Sequence, residues 1–147
     1  YDAEKRILDA LPKMAQAATS PQVADAFREH LRETENQVRR LDQVFRSIGR
    51  EPERETCEGI KGIIEEGEKY TKAKGDDMVR DAALICAAQR VEHYEMAGYG
   101  TARTFAEQLG YDEAVQLLDQ TLQEEKLTDK KLTDLAEQSI NVKAAHA

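Results

Sequence analysis

The chain is 147 residues long, 40% hydrophobic and 34% charged, with 29 acidic against 21 basic residues and a formal net charge of −8. That length suits one domain around one core, and the acidic balance, without any long Lys or Arg run, argues against phosphate backbones and anionic membrane surfaces as main partners. No apolar run approaches the roughly 18 to 20 residues that span a bilayer, and Cys57 and Cys86 are too few for a disulfide framework and lack CxxC spacing. No nucleic acid, no membrane and a reducing, cytoplasmic setting are therefore expected. Aromatics at 5%, no Trp, and only 8 Gly and 3 Pro leave a composition dominated by good helix formers.

The first helix is expected over about residues 1–18, on the row Tyr1, Glu4, Leu8, Leu11, Ala15, Ala18, which steps by three and four. It stops at Thr19-Ser20-Pro21, where Ser20 is placed to cap the next helix and Pro21 fits its first turn. The second helix, about 21–48, carries the row Ala24, Phe27, Leu31, Thr34, Val38, Leu41, Phe45, Ile48 and ends at Gly49. Residues 49–76 break the pattern with several glycines and Pro52, while Ile60, Ile63 and Ile64 indicate one short helix inside a long crossover. A third helix, about 77–109, follows Leu84, Ala88, Val91, Glu95, Gly98, Ala102, Phe105, Leu109 and ends at Gly110. The fourth, about 112–140, with Asp112 as its expected cap, follows Ala114, Leu118, Thr121, Glu125, Thr128, Leu132, Leu135, and a polar tail over 141–147 is expected to fray. Two short-loop hairpins joined by one long crossover predict an all-α chain: a single domain built as an up-down four-helix bundle.

Three of the four core rows carry a carboxylate where an apolar residue belongs: Glu4, Glu95 and Glu125. The second helix offers Thr34 flanked by His30, Glu33 and Gln37. Glu4 lies about 15 residues before the first hairpin turn and Glu95 about 16 before the second, so both sit some 23 to 24 Å from their turns. The facing positions are straddled by Glu33 and Gln37 in one hairpin and by Glu125 and Asp129 in the other, and Glu92 and His30 lie one turn from Glu95 and Glu33. One polar layer is predicted. Carboxylates crowded in this way cannot all stay ionised unaided, and a divalent metal resolves the conflict, with carboxylate-rich, imidazole-poor shells suiting Fe or Mn. The predicted ligands are Glu4, His30, Glu33, Glu92, Glu95, Glu125 and Asp129, for two ions per chain.

The competing structural reading has Glu4 solvated at a frayed start, Glu95 and Glu125 paired with Lys or Arg, and His30 a satisfied core group. His93, about 100° round the helix from Glu92, is expected at the surface or behind the ligands, and Asp134 is expected to be solvated. Cys86, beside Ile85, reads as core filling. Ala97, Gly98 and Gly100 leave room either for close helix packing, the commoner reason, or for an access path.

The segments YDAEKRILDALPKMA, FREHLRETENQVRRLDQVF, VRDAALICAAQRVEHYEMAGYGT and TLQEEKLTDKKLTDLA, starting at Tyr1, Phe27, Val79 and Thr121, resemble the YciE/YciF family of ferritin-like bacterial proteins across nearly the whole chain. The resemblance implies a ferritin-like bundle, a dinuclear metal site, a homodimer and an association with bacterial stress responses, but no established reaction. Its matching positions are Glu4, His30, Glu33, Glu92, His93, Glu95, Glu125 and Asp129. The wider ferritin-like pattern of Glu-x-x-His on two helices is absent here: His30 precedes Glu33, and Asp129 follows Glu125 by four. Members of the family carry chain ahead of the position matching Tyr1, so a trimmed N terminus is expected.

The functional expectation is a ferritin-like metal-binding protein of the oxidative or general stress response, open to peroxide or oxygen chemistry. The rival, from another class, is a non-catalytic dimeric helical scaffold whose polar layer fixes packing and binds no metal. An iron-storage cage ranks below both.

Overall fold

The computed structural model describes residues 1–147 and is all-helical, with no strands. Its elements are α1 (Asp2–Ala17), α2 (Pro21–Ser47), α3 (Glu58–Thr71), α4 (Asp77–Gln108) and α5 (Asp112–Leu135), then a π-helical turn (Ala136–Ile140) and α6 (Asn141–Ala144). The pair α1 and α2 pack on each other, as do α4 and α5; α2 packs on α5, and α3 lies across α1 and α4. No helix is long and apolar enough to cross a membrane.

The two longest helix ends follow the glycine rule. Gly49 at φ 69° and Gly110 at φ 75° adopt the left-handed conformation, and the next amides, Arg50 N and Tyr111 N, reach back to the Phe45 and Ala106 carbonyls at 2.9 Å. Those six-to-one bonds satisfy carbonyls that the helix itself cannot. At the start of α4, Asp76 accepts from the Met78 and Val79 amides at 2.7 and 3.2 Å.

Other local expectations give way to tertiary contacts. Ser20 stands at the α2 cap without using its side chain. Instead the Thr19 and Ser20 amides donate to the fully buried Asp81 of α4, at 2.9 and 2.6 Å. Asp112 does not cap α5; Tyr111 holds that position without a side-chain bond, and Asp112 lies exposed in the first turn. The tail is not frayed from Asn141: a single π-helical turn widens the chain so that Leu132, Ala136 and Ile140 all face inward, and α6 follows, against α4.

In α1, Ile7 and Met14 are buried and Leu8 is only half-buried. In α4, the row expected to be core holds through Glu95 and then leaves it: Tyr99 and Ala106 are buried, while Gly98, Ala102, Phe105 and Leu109 face outward. Ala102 lies five whole turns after Leu84 and shares its azimuth, so the row itself has not turned away; what stands opposite changes, since the cluster that holds Ile60 of α3 takes α4 residues only as far as Val91. Cys86 is exposed, because Ile85 takes the inward position beside it. Ile60 is fully buried and Ile63 and Ile64 are half-buried against the core, so the crossover spends its apolar face within the chain.

Candidate metal centre

Between two apolar clusters lies a layer of buried polar side chains. His30 comes from α2, Glu92 and Glu95 from adjacent turns of α4, and Glu125 from α5; each offers one ligand atom, and these atoms all lie within 4.8 Å of one another. All four residues are buried. Glu92 and Glu95 share a face because they are three apart on one helix, and Thr121, Glu125 and Thr128 form a buried stripe on α5. Thr34 satisfies itself locally, donating to the His30 carbonyl at 2.9 Å, which leaves the imidazole as the group that reaches inward from α2.

The ligand-type atoms lack partners. Both oxygens of Glu92 and of Glu125, one oxygen each of Glu4 and Glu95, and both ring nitrogens of His30 are buried without a hydrogen bond. His30 Nε2 lies 3.1 Å from Glu92 Oε1, close but outside hydrogen-bond alignment. No Lys or Arg forms an ion pair with Glu4, Glu92, Glu95 or Glu125, and Glu4 is buried, not solvated. The pairing with basic side chains that would make this layer ordinary is therefore missing. A buried carboxylate without a partner costs about 2 kcal/mol or more unless it is neutralised, and here four carboxylates share one imidazole and one tyrosine hydroxyl.

Protonation equilibria register that cost. Burial, then the adjoining Glu92, pushes the Glu125 carboxyl up to about 10. Burial also raises Glu95 well above the carboxylate range, with the charges of Glu4, Glu125 and Glu92 adding to it. Glu4 is raised by burial too, against the opposing hydrogen bond from Tyr99. Burial by itself would depress His30, but Glu92, Glu33 and Glu125 outweigh it and hold the imidazole well above its usual value. Tyr99, buried against Glu4, is raised as well.

The remaining predicted residues divide. Glu4 extends the layer on the α1 side and accepts a short hydrogen bond from the Tyr99 hydroxyl. Glu33 stands at the other edge, 3.7 Å from His30 Nδ1, accepting from Thr128 at 3.2 Å; the neighbouring His30 holds it below the usual carboxylate range. Asp129 is not with the four: it faces the outer groove, 3.2 Å from His93 and accepting from Gln89 at 3.1 Å. His93 is at the surface, as expected, and so is Asp134, paired with Lys130. Gln37 is fully buried, and its amide donates to Glu124 at 3.2 Å beside the bidentate Arg40–Glu124 pair.

Several buried polar groups, in the layer and outside it, were illegible in the sequence. Tyr99 lies four residues after Glu95, a spacing that signals a shared face, yet nothing in that spacing distinguishes a hydroxyl aimed at Glu4 from a core tyrosine. Asp81 and the Arg40–Glu124 pair depend wholly on partners more than 60 residues away.

Fold and site together define an all-helical protein with a buried cluster of carboxylates around one imidazole. The chain belongs to the family described as a domain of unknown function, DUF892, which it matches over residues 1–145. It is 50% identical over 145 residues to protein YciF of Escherichia coli strain K12, covering 98% of this chain and 87% of that protein. The crystal structure of the E. coli stress protein YciF matches with a TM-score of 0.92 and 49% identity over 96% of this chain and 89% of that one. YcfI of Rhodopseudomonas palustris, for which a structural role has been suggested, matches with a TM-score of 0.86 and 44% identity over 89% of this chain and 83% of that one.

Proposed function

We propose that the chain is a ferritin-like four-helix metal-binding protein that holds iron or manganese in its polar layer and serves a bacterial stress response. The observation that carries this reading is the convergence of unpartnered atoms of His30, Glu92, Glu95 and Glu125 within 4.8 Å. A divalent cation supplies the positive charge these buried oxygens lack, and their oxygen-rich, single-imidazole donor set suits iron or manganese better than a softer ion. His30, Glu92, Glu95 and Glu125 would hold the first ion. Glu4 and Glu33, at the two edges, are the groups that extend the shell toward a second, and Asp129, turned toward His93, is the weakest member of the set.

Bound there, such a metal would supply redox chemistry toward peroxide or oxygen. What the chain itself contributes is a buried set of carboxylate ligands and one hydroxyl, Tyr99, bonded to Glu4 and placed to hold that carboxylate in orientation. The stress role rests on the likeness to the E. coli stress protein YciF.

A scaffold reading has one observation in its favour: with Glu4, Glu95 and Glu125 protonated, the layer is neutral and can fix packing with no metal. Elemental analysis of protein made without added chelator separates the two. The metal reading expects at least one equivalent of iron or manganese per chain and up to two; well under one equivalent leaves the scaffold. Glu125→Ala should lower the metal content far more than Asp134→Ala, and equal content in the two variants would sink the ligand assignment. Loading should also raise stability at pH 7 by about 2.7 kcal/mol at free metal 100 times the dissociation constant. A homodimer is part of the same reading, joined through apolar residues left exposed near the α4–α5 turn, Phe105, Leu109 and Tyr111; sedimentation equilibrium at micromolar concentration tests it.

A further inference from the structure

Three voids reach the polar layer; one, beside His30, Glu33 and Thr128, has only about 10 Å³, and the other two differ in character. Behind His30 and Glu92, between α1, α3 and α4, is a cavity of about 30 Å³ walled by Ile7, Leu11, Met14 and Val91, with the Lys13–Glu68 pair at its rim. On the other side a cleft of about 240 Å³ opens between the first turn of α1 and the middle of α4, lined by Tyr1, Glu4, Tyr94, Glu95, Gly98 and Tyr99. One water needs only about 10–15 Å³ by this measure, so the cleft admits an ion together with its hydration shell and the cavity does not. A hydrated cation would have to shed its water against apolar walls on the cavity side, at a large cost.

The lining of the cleft points the same way. Glu4 and Glu95 are both buried, and each keeps one oxygen without a partner; they are the members of the layer that border this opening, while His30 and Glu92 border the other. Gly98 supplies the width. A glycine inside a helix costs roughly 0.5–1 kcal/mol against alanine, a cost normally offset by close packing, but a Cβ built on Gly98 meets nothing within 4 Å. The close helix approach expected of this glycine is absent; what it leaves is open space one turn beyond Glu95.

Resting on the metal reading above, we propose that this cleft is the port through which a hydrated divalent cation reaches the polar layer, with Glu4 and Glu95 receiving it and Gly98 holding the way open. Gly98 has an ordinary helical backbone, so Gly98→Leu fills the cleft without strain. Gly62→Leu on α3, where a Cβ also meets nothing, is the control for helix propensity, and Gly98→Ala is the graded variant.

Cobalt(II) transfer from a fluorescent chelator, followed by stopped flow, gives the rate, and titration gives the affinity. Gly98→Leu should load about tenfold more slowly or worse, a barrier raised by roughly 1.4 kcal/mol, while its final affinity stays within about twofold of the parent. Gly62→Leu should load at the parent rate and Gly98→Ala close to it. If Gly98→Leu binds cobalt at the parent rate, or if Gly62→Leu slows loading equally, the port is not this cleft, although the metal centre stands. If the parent chain binds no cobalt, the centre and its port fall together.

Discussion

The polar layer divides the interior into two unequal halves. On the side of the α1–α2 turn, fifteen buried residues from α1, α2, α3, α4, α5, the π-helical turn and its end form one cluster, including Phe27, Ile60, Leu84, Ile85 and Ile140. On the other side seven buried residues, among them Leu41, Tyr99, Leu118 and Leu122, make the whole cluster. The larger half gains α3 across its seam and Asp81 fastening the α1–α2 turn to α4. The smaller half has no covering helix, exposes Phe105 at 64% and Leu109 at 67%, and is where the 240 Å³ cleft opens. Stability and opening are thus allotted to opposite ends: the crossover closes one side of the layer, and the uncovered far end of α4 leaves the other open.

The largest effect should come from equal truncations in the two halves. Leu84→Ala, fully buried in the large cluster, should cost about 4 kcal/mol, and Leu122→Ala in the small one about 2, because a loosely covered site collapses or admits water more readily. Urea unfolding of the two variants measures the difference, and equal losses would remove the distinction.

Next is the fastening at the closed end. Asp81→Ala removes the acceptor of the Thr19 and Ser20 amides and should cost about 2 kcal/mol, within the range for hydrogen bonds to a charged group. Hydrogen exchange should show the α1–α2 turn opening first. Unchanged exchange there would mean that the turn is held by packing alone.

The layer between the halves should set the pH dependence of the metal-free chain. Glu4, Glu95 and Glu125 keep their protons to higher pH when folded than when unfolded. Below the ordinary carboxyl value both states are protonated; from there up toward about 10 for Glu125, the folded state carries the extra proton and stability falls as pH rises. His30, also raised, contributes stability that is complete below its ordinary value of 6.5 and is lost as pH rises through its folded value, so it adds to the same slope. Metal-free protein should therefore melt higher at pH 5 than at pH 7, by about 1.4 kcal/mol per pH unit for each proton retained. Saturating iron or manganese should remove or reverse the trend, since protons compete for its ligands. A flat melting profile from pH 5 to 7 without metal would show that the carboxyls ionise freely.

The smallest effect compares glycines. Gly98→Ala, at the open end, should stabilise by about 0.5–1 kcal/mol, whereas Gly67→Ala, whose Cβ would come 3.3 Å from Ala87 Cβ, should gain nothing or lose. Thermal melts at fixed pH suffice, and equal gains would mean that α3 yields freely.

The sequence by itself determined the helices and the layer. Glycines at 49 and 110 and apolar steps of three and four are local instructions, and each acts within a turn or two of chain. The convergence of His30, Glu92, Glu95 and Glu125 was also legible, since hairpin arithmetic needs only helical rise and two short turns. Tertiary structure alone decided what lay beyond that reach. Asp129 went to His93 and not to the carboxylates, Asp81 took the Thr19 and Ser20 amides while the Ser20 side chain left its cap unmade, and the α5 end widened into a π turn to bury Ile140. The stripe of α4 past Glu95 faces outward although Ala102 keeps the azimuth of Leu84, because the cluster around α3 takes α4 residues only as far as Val91. Sequence spacing states which residues share a face near one another; which way a long helix has turned 30 residues on, and what stands opposite, is decided only by packing.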